Sequence, residues 1–192
     1  LRKTAASRLK TYIGGNDPSS ADGQALGTAS LEWSDLYLAD GSVIYFGNDQ
    51  EIKVTHVADT GLTLKHTATA DDKPITLTLQ TGETDMAAND IIGKIAFQAP
   101  DEGTGTDAIL VAAAIQARSE GDFAADANAT SLDFMLGASE AAATLMTLNS
   151  SGNLSVGDGT AALPSYSNTG DLNTGVYFPA ADTVGVVAGG TE

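Results

Sequence analysis

Between Ile91 and Thr160 the apolar side chains recur at every second position, in short runs closed by Gly, Asp or Asn. In the run from Gly93 to Ala99, the residues Gly93, Ile95, Phe97 and Ala99 share one face, while Lys94, Ala96 and Gln98 share the other. Leu132, Phe134 and Leu136 repeat the pattern against Ser131, Asp133 and Met135. Two further apolar pieces are Ile109-Leu110-Val111 and Leu145-Met146-Thr147-Leu148, the latter running into Asn149-Ser150-Ser151-Gly152-Asn153-Leu154-Ser155-Val156-Gly157. Successive strand residues point to opposite faces, so a period of two over four to seven residues predicts strands. Four strands so closely spaced, with no crossover helix between them, imply antiparallel or wound β-structure.

The same residues limit how large a core one chain can close. Hydrophobic residues make up 42% of the 192, yet only 6% of residues are aromatic and 21 are Gly. Alanine supplies much of the apolar share. Burial is worth about 25 cal/mol per Å² of apolar area. Small side chains therefore offset poorly the roughly 1–2 kcal/mol of backbone entropy that each ordered residue costs. Thin cores of this kind are completed by a partner chain or a neighbouring repeat. Self-association is the expectation from composition alone.

The formal charge is −16, from 9 basic and 25 acidic residues. Arg2, Lys3, Arg8 and Lys10 stand in the first ten positions, which contain no acid, so the rest of the chain carries −20. Such a body is repelled by nucleic acid and by anionic membranes, and neither is expected as a partner. Solubility is one use of the acidity, and weak calcium binding in the Asp/Gly/Asn turns is another. The absence of Cys excludes a disulfide framework and a thiolate metal site. No apolar run reaches the 18 or so residues of a membrane span, and Leu1 to Ile13 lacks the uninterrupted apolar region of a signal peptide.

In chain order, residues 1–14 read as an amphipathic helix closed by Gly14-Gly15. Leu1, Ala5, Leu9, Tyr12 and Ile13 share its apolar stripe. Thirteen residues form only a marginal helix alone, so the stripe must dock on another protein, on copies of itself or on a membrane. Residues 15–30 read as a polar linker. A first β module, 31–90, holds hairpin signals: Trp33 to Leu38 and Val43 to Phe46 flank Asp40-Gly41, and Ile52 to His56 and Leu62 to His66 flank Asp59-Thr60-Gly61. Ile75, Leu77 and Leu79, alternating with Thr76, Thr78 and Gln80, form the cleanest half-buried strand pattern. His56 and His66 continue the apolar faces of their strands, which favours a core or interface role over metal binding, since no acid ligand is seen on that face. Residues 91–160 form the central β module. From Leu154 onwards Asp158-Gly159, Gly170-Asp171 and Gly189-Gly190 are expected to leave only very short strands.

No motif for chemistry emerges. The phosphate-binding glycine patterns and the Gly-x-Ser-x-Gly elbow are missing, and only two histidines exist for a triad. Among 25 acids, pairs for glycoside hydrolysis are too easily assembled to discriminate. Asp101-Glu102, Glu83-Asp85 and Glu120-Asp122 lie beside Gly and read as solvated turns. Asn128-Ala129-Thr130, Asn149-Ser150-Ser151 and Asn153-Leu154-Ser155 match glycosylation acceptors, matches that an Asn/Ser/Thr-rich chain makes by chance. The expectation is a non-enzyme with no cofactor.

The order Gly-x-Ile-x-Phe at Gly93, an alanine-rich Ile-x-Ala strand, Leu-x-Phe at Leu132, and a Met/Leu strand ending in Ser-Gly-Asn-x-x-Val-Gly resembles a module of tailed-bacteriophage fibre proteins. That module often repeats, commonly upstream of a self-cleaving chaperone domain of the endosialidase type. Leu26-Gly27-Thr28 through Trp33-Ser34-Asp35-Leu36-Tyr37-Leu38 is similar to a recurrent strand of the family. Gly175-Val176-Tyr177-Phe178-Pro179 through Gly189-Gly190-Thr191-Glu192 resembles the lead-in to a further repeat, so 161–192 reads as its start and the chain as a piece of a longer polypeptide. The resemblance spans Leu26 to Glu192. It implies an all-β chain with a short N-terminal helix, wound into an elongated, intertwined homotrimeric fibre of triple-stranded β-helix or β-prism type. It also makes Ala108 to Ala117 a strand, although its alanines favour helix.

Ile95, Phe97, Ile109, Val111, Leu132, Phe134 and Leu136 are then the trimer-core candidates, and Leu1, Ala5, Leu9, Tyr12 and Ile13 the attachment arm for another virion protein. The resemblance implies a virion-surface fibre or spike that projects or contributes to host attachment, with host glycan or receptor as a further partner. A fibre-borne polysaccharide depolymerase or lyase, a capsid decoration or head fibre, and a bacterial adhesin are the alternatives.

Overall fold

A computed structural model describes residues 25–100, 103 and 109–191. The chain divides into two compact units, Leu1–Leu77 and Thr78–Glu192, a division thirteen residues ahead of the expected module border at Ile91. The described residues are all β, with no helix, and their three antiparallel sheets are open rather than closed into barrels. The expected helix and its stripe residues Leu1, Ala5, Leu9, Tyr12 and Ile13 lie outside the described residues.

In the first unit, β1 (Val43–Phe46), β2 (Ile52–Val57) and β3 (Gly61–His66) form a meander. Val54 stands between Ile44 and Leu64, and Ile52 between Phe46 and His66, so one face of the sheet is apolar. Asp59 turns the second hairpin at φ 56°, a conformation that Asp tolerates better than most residues. The hairpin expected on the other side of β1 does not form. A turn at Asp40-Gly41 is present, with Ser42 N donating to Ala39 O at 3.1 Å, but Trp33 to Leu38 make no strand and β1 takes β2 as its partner. Ile75 to Gln80 form no strand either. Alternation prepares a segment for a sheet, but a ladder needs a partner edge. Among the described residues neither segment finds one.

In the second unit β4 (Ile91–Gln98), β5 (Val111–Ser119), β6 (Thr130–Leu136), β7 (Ala143–Leu148) and β8 (Leu154–Val156) lie side by side in sequence order. The expected strand at Ala108 to Ala117 is realised as β5, shifted towards the C-terminus, with Ile109 ahead of it. Helix propensity loses here to pairing on both sides, with β4 and with β6. A third sheet holds β9 (Tyr166–Asn168), β10 (Asp171–Ala180) and β11 (Thr183–Val187), with β10 in the middle. Its ten-residue β10 corrects the expectation of only very short strands in this region. Gly175 sits inside β10, where a Cβ would run into the Tyr166 carbonyl, so the missing side chain lets β9 close onto the strand.

Candidate functional site: an open apolar sheet face

The registers of the five-stranded sheet stack apolar residues into three rows. Ile95, Ile115, Phe134, Met146 and Val156 stand opposite one another in the central row. Gly93, Ala117, Leu132, Leu148 and Leu154 make the next, and Phe97, Ala113, Leu136 and Ala143 the third. The first two rows continue because the hairpin partners keep period two in phase, and the third crosses a register shift in the β6–β7 pairing between Phe134 and Met135. Five of the trimer-core candidates, Ile95, Phe97, Leu132, Phe134 and Leu136, are thus brought onto one surface. Val111 pairs with Gln98 across a bulge at its edge, and Ile109 precedes the strand, 46% exposed.

This face is open. Ile95 is 47% exposed, Phe97 56% and Leu136 57%. A hollow of about 410 Å³ lies on it, lined by Phe97, Ile115, Phe134, Leu136, Leu145 and Met146 among others, with almost no polar atom at its surface. Leu79 covers only its margin. A Cβ on Gly93 would lie 2.8 Å from the Leu79 Cβ, so Gly93 makes the room that this contact needs.

The opposite face is closed by hydrogen bonds instead of apolar packing. Asp133, 1% exposed, is its centre. Arg118 Nε donates to Asp133 Oδ2 at 2.8 Å and Arg118 Nη2 to Oδ1 at 3.2 Å, a bidentate pair. Gln116 Nε2 donates to Oδ2 at 3.2 Å and Thr147 Oγ1 to Oδ1 at 2.9 Å, from the strands on either side. Register places these groups, since Gln116, Asp133 and Thr147 are direct cross-strand partners. The Arg118 hydrogen bond is the largest influence holding the Asp133 carboxyl below its ordinary range, helped by Thr147 and Gln116 against the cost of burial. The same bond raises Arg118.

Next to this pair, Ser119 Oγ accepts from Asp90 N at 3.0 Å and donates to the Ala87 carbonyl, tying the chain ahead of β4 to the end of β5. Glu120, expected as a solvated turn, accepts from Ser131 Oγ at 2.6 Å and Ser150 N at 3.0 Å. These bonds lower its carboxyl, Ser131 first. Alternation singles out Leu132, Phe134 and Leu136 in sequence. It carries no signal that Asp133 between them is enclosed, because that depends on Arg118 and Thr147 arriving from other strands.

The two smaller sheets each keep an open apolar face as well. In the first, Phe46 is 51% and Leu62 76% exposed. In the third, Val184 is 64% and Val186 72% exposed, beside the edge-to-face pair of Tyr166 and Phe178, whose centroids are 6.4 Å apart. Its other face is closed by Tyr177 and Val187, with the Tyr177 ring resting on Gly185.

Contrary to the sequence reading, an acid does reach the histidine face: His56 Nδ1 lies 3.5 Å from Asp40 Oδ1. His66 Nδ1 accepts from Ala68 N at 3.1 Å. Among the described residues no three His, Cys, Asp or Glu side chains converge as a metal-ligand group. No protein-family model, curated protein or solved structure matches this chain.

Proposed function

We propose that this chain is a structural segment of a virion fibre or spike of the tailed-bacteriophage type, acting as an elongated, parallel homotrimer. The observation that carries the reading is the uncovered apolar face of the β4–β8 sheet, with two rows running across five strands and a third across four. A soluble monomer rarely leaves so continuous an apolar surface in water, and exposed patches of this kind mark association sites. The fully buried hydrophobic residues among those described are Ala114, Tyr177 and Val187, too few to stabilise the chain by its own core.

In this reading Ile95, Phe97, Leu132, Phe134 and Leu136 meet their counterparts about the fibre axis, and the Asp133 network ties β5, β6 and β7 together behind them. Work of this sort is mechanical and needs no catalytic group. The fibre resemblance adds the setting: the virion surface, a second virion protein held by residues 1–14, and a contribution to attachment at host glycan or receptor.

Sedimentation equilibrium at micromolar concentration is expected to give three times 19.5 kDa, and a compact monomer there refutes the trimer. An antibody raised against the chain is expected to decorate purified phage particles. Particles free of the chain would remove the virion role.

A further inference from the structure

Two features among the described residues lack a strand partner and fit each other. The first is the segment 75–80, where Ile75, Leu77 and Leu79 alternate with Thr76, Thr78 and Gln80. Its residues are all exposed, with Leu77 at 68%, and none of its amides or carbonyls bonds another described residue. The second is the outer edge of β4. Eight residues long, it pairs with β5 alone and carries a single charge, Lys94. A long, apolar, uncovered edge strand is a template for another strand, and proteins that keep one in the open shield it with charge, proline or a bulge that twists it away.

The chain does not join the two features within itself. Met86 O accepts from Phe123 N at 2.9 Å and Asn89 N donates to Ser119 O at 3.0 Å, which fastens 86–90 beside the end of β5. Leu79 meanwhile lies over Gly93, on the face of the sheet and not along its edge.

We infer that segment 75–80 of one copy adds as a strand to the β4 edge of a neighbouring copy. The occupant is a second copy because both halves of the joint are present in this chain, with matching period, and the six residues of 75–80 fit within the eight of β4. Leu79 also borders the open apolar face, so the added strand would extend the three rows onto the neighbour. Donating one element and accepting it elsewhere is a heterologous contact, which closes into a ring when the rotation fits. Threefold closure would leave none of these edges free. The inference rests on the self-association proposed above and specifies how the copies are joined.

Amide hydrogen exchange read by mass spectrometry tests it on the full chain at a concentration where it is assembled. Peptides covering 75–80 and 91–98 are both expected to exchange at least about 100-fold more slowly than free peptide, as paired strands do. Copies bearing Thr78→Cys are then mixed with copies bearing Lys94→Cys or Ala96→Cys, in a chain that has no cysteine of its own. Disulfide-linked pairs of the two variants support the exchange of strands. An assembled protein whose 75–80 amides exchange at free-peptide rates overturns this joint and leaves self-association standing. Protection without linked pairs of the two variants, while a chain carrying Thr78→Cys together with Lys94→Cys cross-links within itself, overturns it in favour of pairing inside one copy. A chain that stays monomeric overturns both proposals.

Discussion

Replacing Arg118 by Ala removes two of the four hydrogen bonds to Asp133 and leaves its carboxylate enclosed with only Gln116 and Thr147. Breaking one side of a buried ion pair costs about 3–5 kcal/mol, most of it the uncompensated charge left behind. Arg118 keeps a quarter of its side chain exposed, so the reciprocal change, Asp133→Ala, leaves a cation that water reaches more easily. The cost expected for Asp133→Ala is therefore lower, about 2–3 kcal/mol, chiefly from donors left without an acceptor. Replacing both by Ala leaves no unpaired buried charge and is expected to cost less than the two single changes together, giving a coupling of at least about 2 kcal/mol. Urea unfolding followed by far-UV circular dichroism measures all of these, at one protein concentration because assembly makes stability concentration-dependent. If Arg118→Ala unfolds within about 0.5 kcal/mol of wild type, the pair is not what closes that face. A double variant as unstable as the sum of the singles would refute the coupling.

The Asp133 carboxyl also sets an acid limit. Its folded pKa is depressed, so its contribution is fully present above the unfolded value of about 3.9 and is lost as pH falls through the folded value; Asp133→Asn should flatten that limb, and an unchanged acid titration of stability would count against the assignment. Phe97 leaves just over half of its surface exposed. Covering about 100 Å² of it in the assembly is worth about 2–3 kcal/mol per copy, so Phe97→Ala should weaken association while leaving the strand content of the dissociated chain unchanged, as sedimentation and circular dichroism will show. Gly175→Ala should destabilise the third sheet by more than about 2 kcal/mol, because the added methyl meets the Tyr166 backbone, and a neutral result in thermal unfolding would show that β9 can move aside. Deleting residues 1–13 should leave assembly intact and abolish incorporation into particles; retention of incorporation in a particle-binding assay would show that the arm is dispensable.

The strands that pair with their sequence neighbours were legible from local pattern. The β2–β3 hairpin follows from alternation on both sides of Asp59-Thr60-Gly61, and β4 and β6 from alternation around Ile95 and Phe134. In each case the information lies within about ten residues, and the hairpin partner supplies the hydrogen bonds. Trp33 to Leu38 and Ile75 to Gln80 carry the same local signature, yet neither forms a strand. Pairing is a property of two segments, and period two in one says nothing about where a second edge will be.

Tertiary structure likewise decided how each face of the central sheet is used. Sequence placed Leu132, Phe134 and Leu136 together, and the chain leaves that face open while enclosing Asp133 on the other. That choice required Arg118 and Gln116 from β5 and Thr147 from β7 to converge on one carboxylate, which depends on the registers of three strands at once. The ten residues of β10 depend in the same way on a contact between Gly175 and the Tyr166 backbone, where the glycine signal in sequence reads as a break and the fold uses it as a point of close approach.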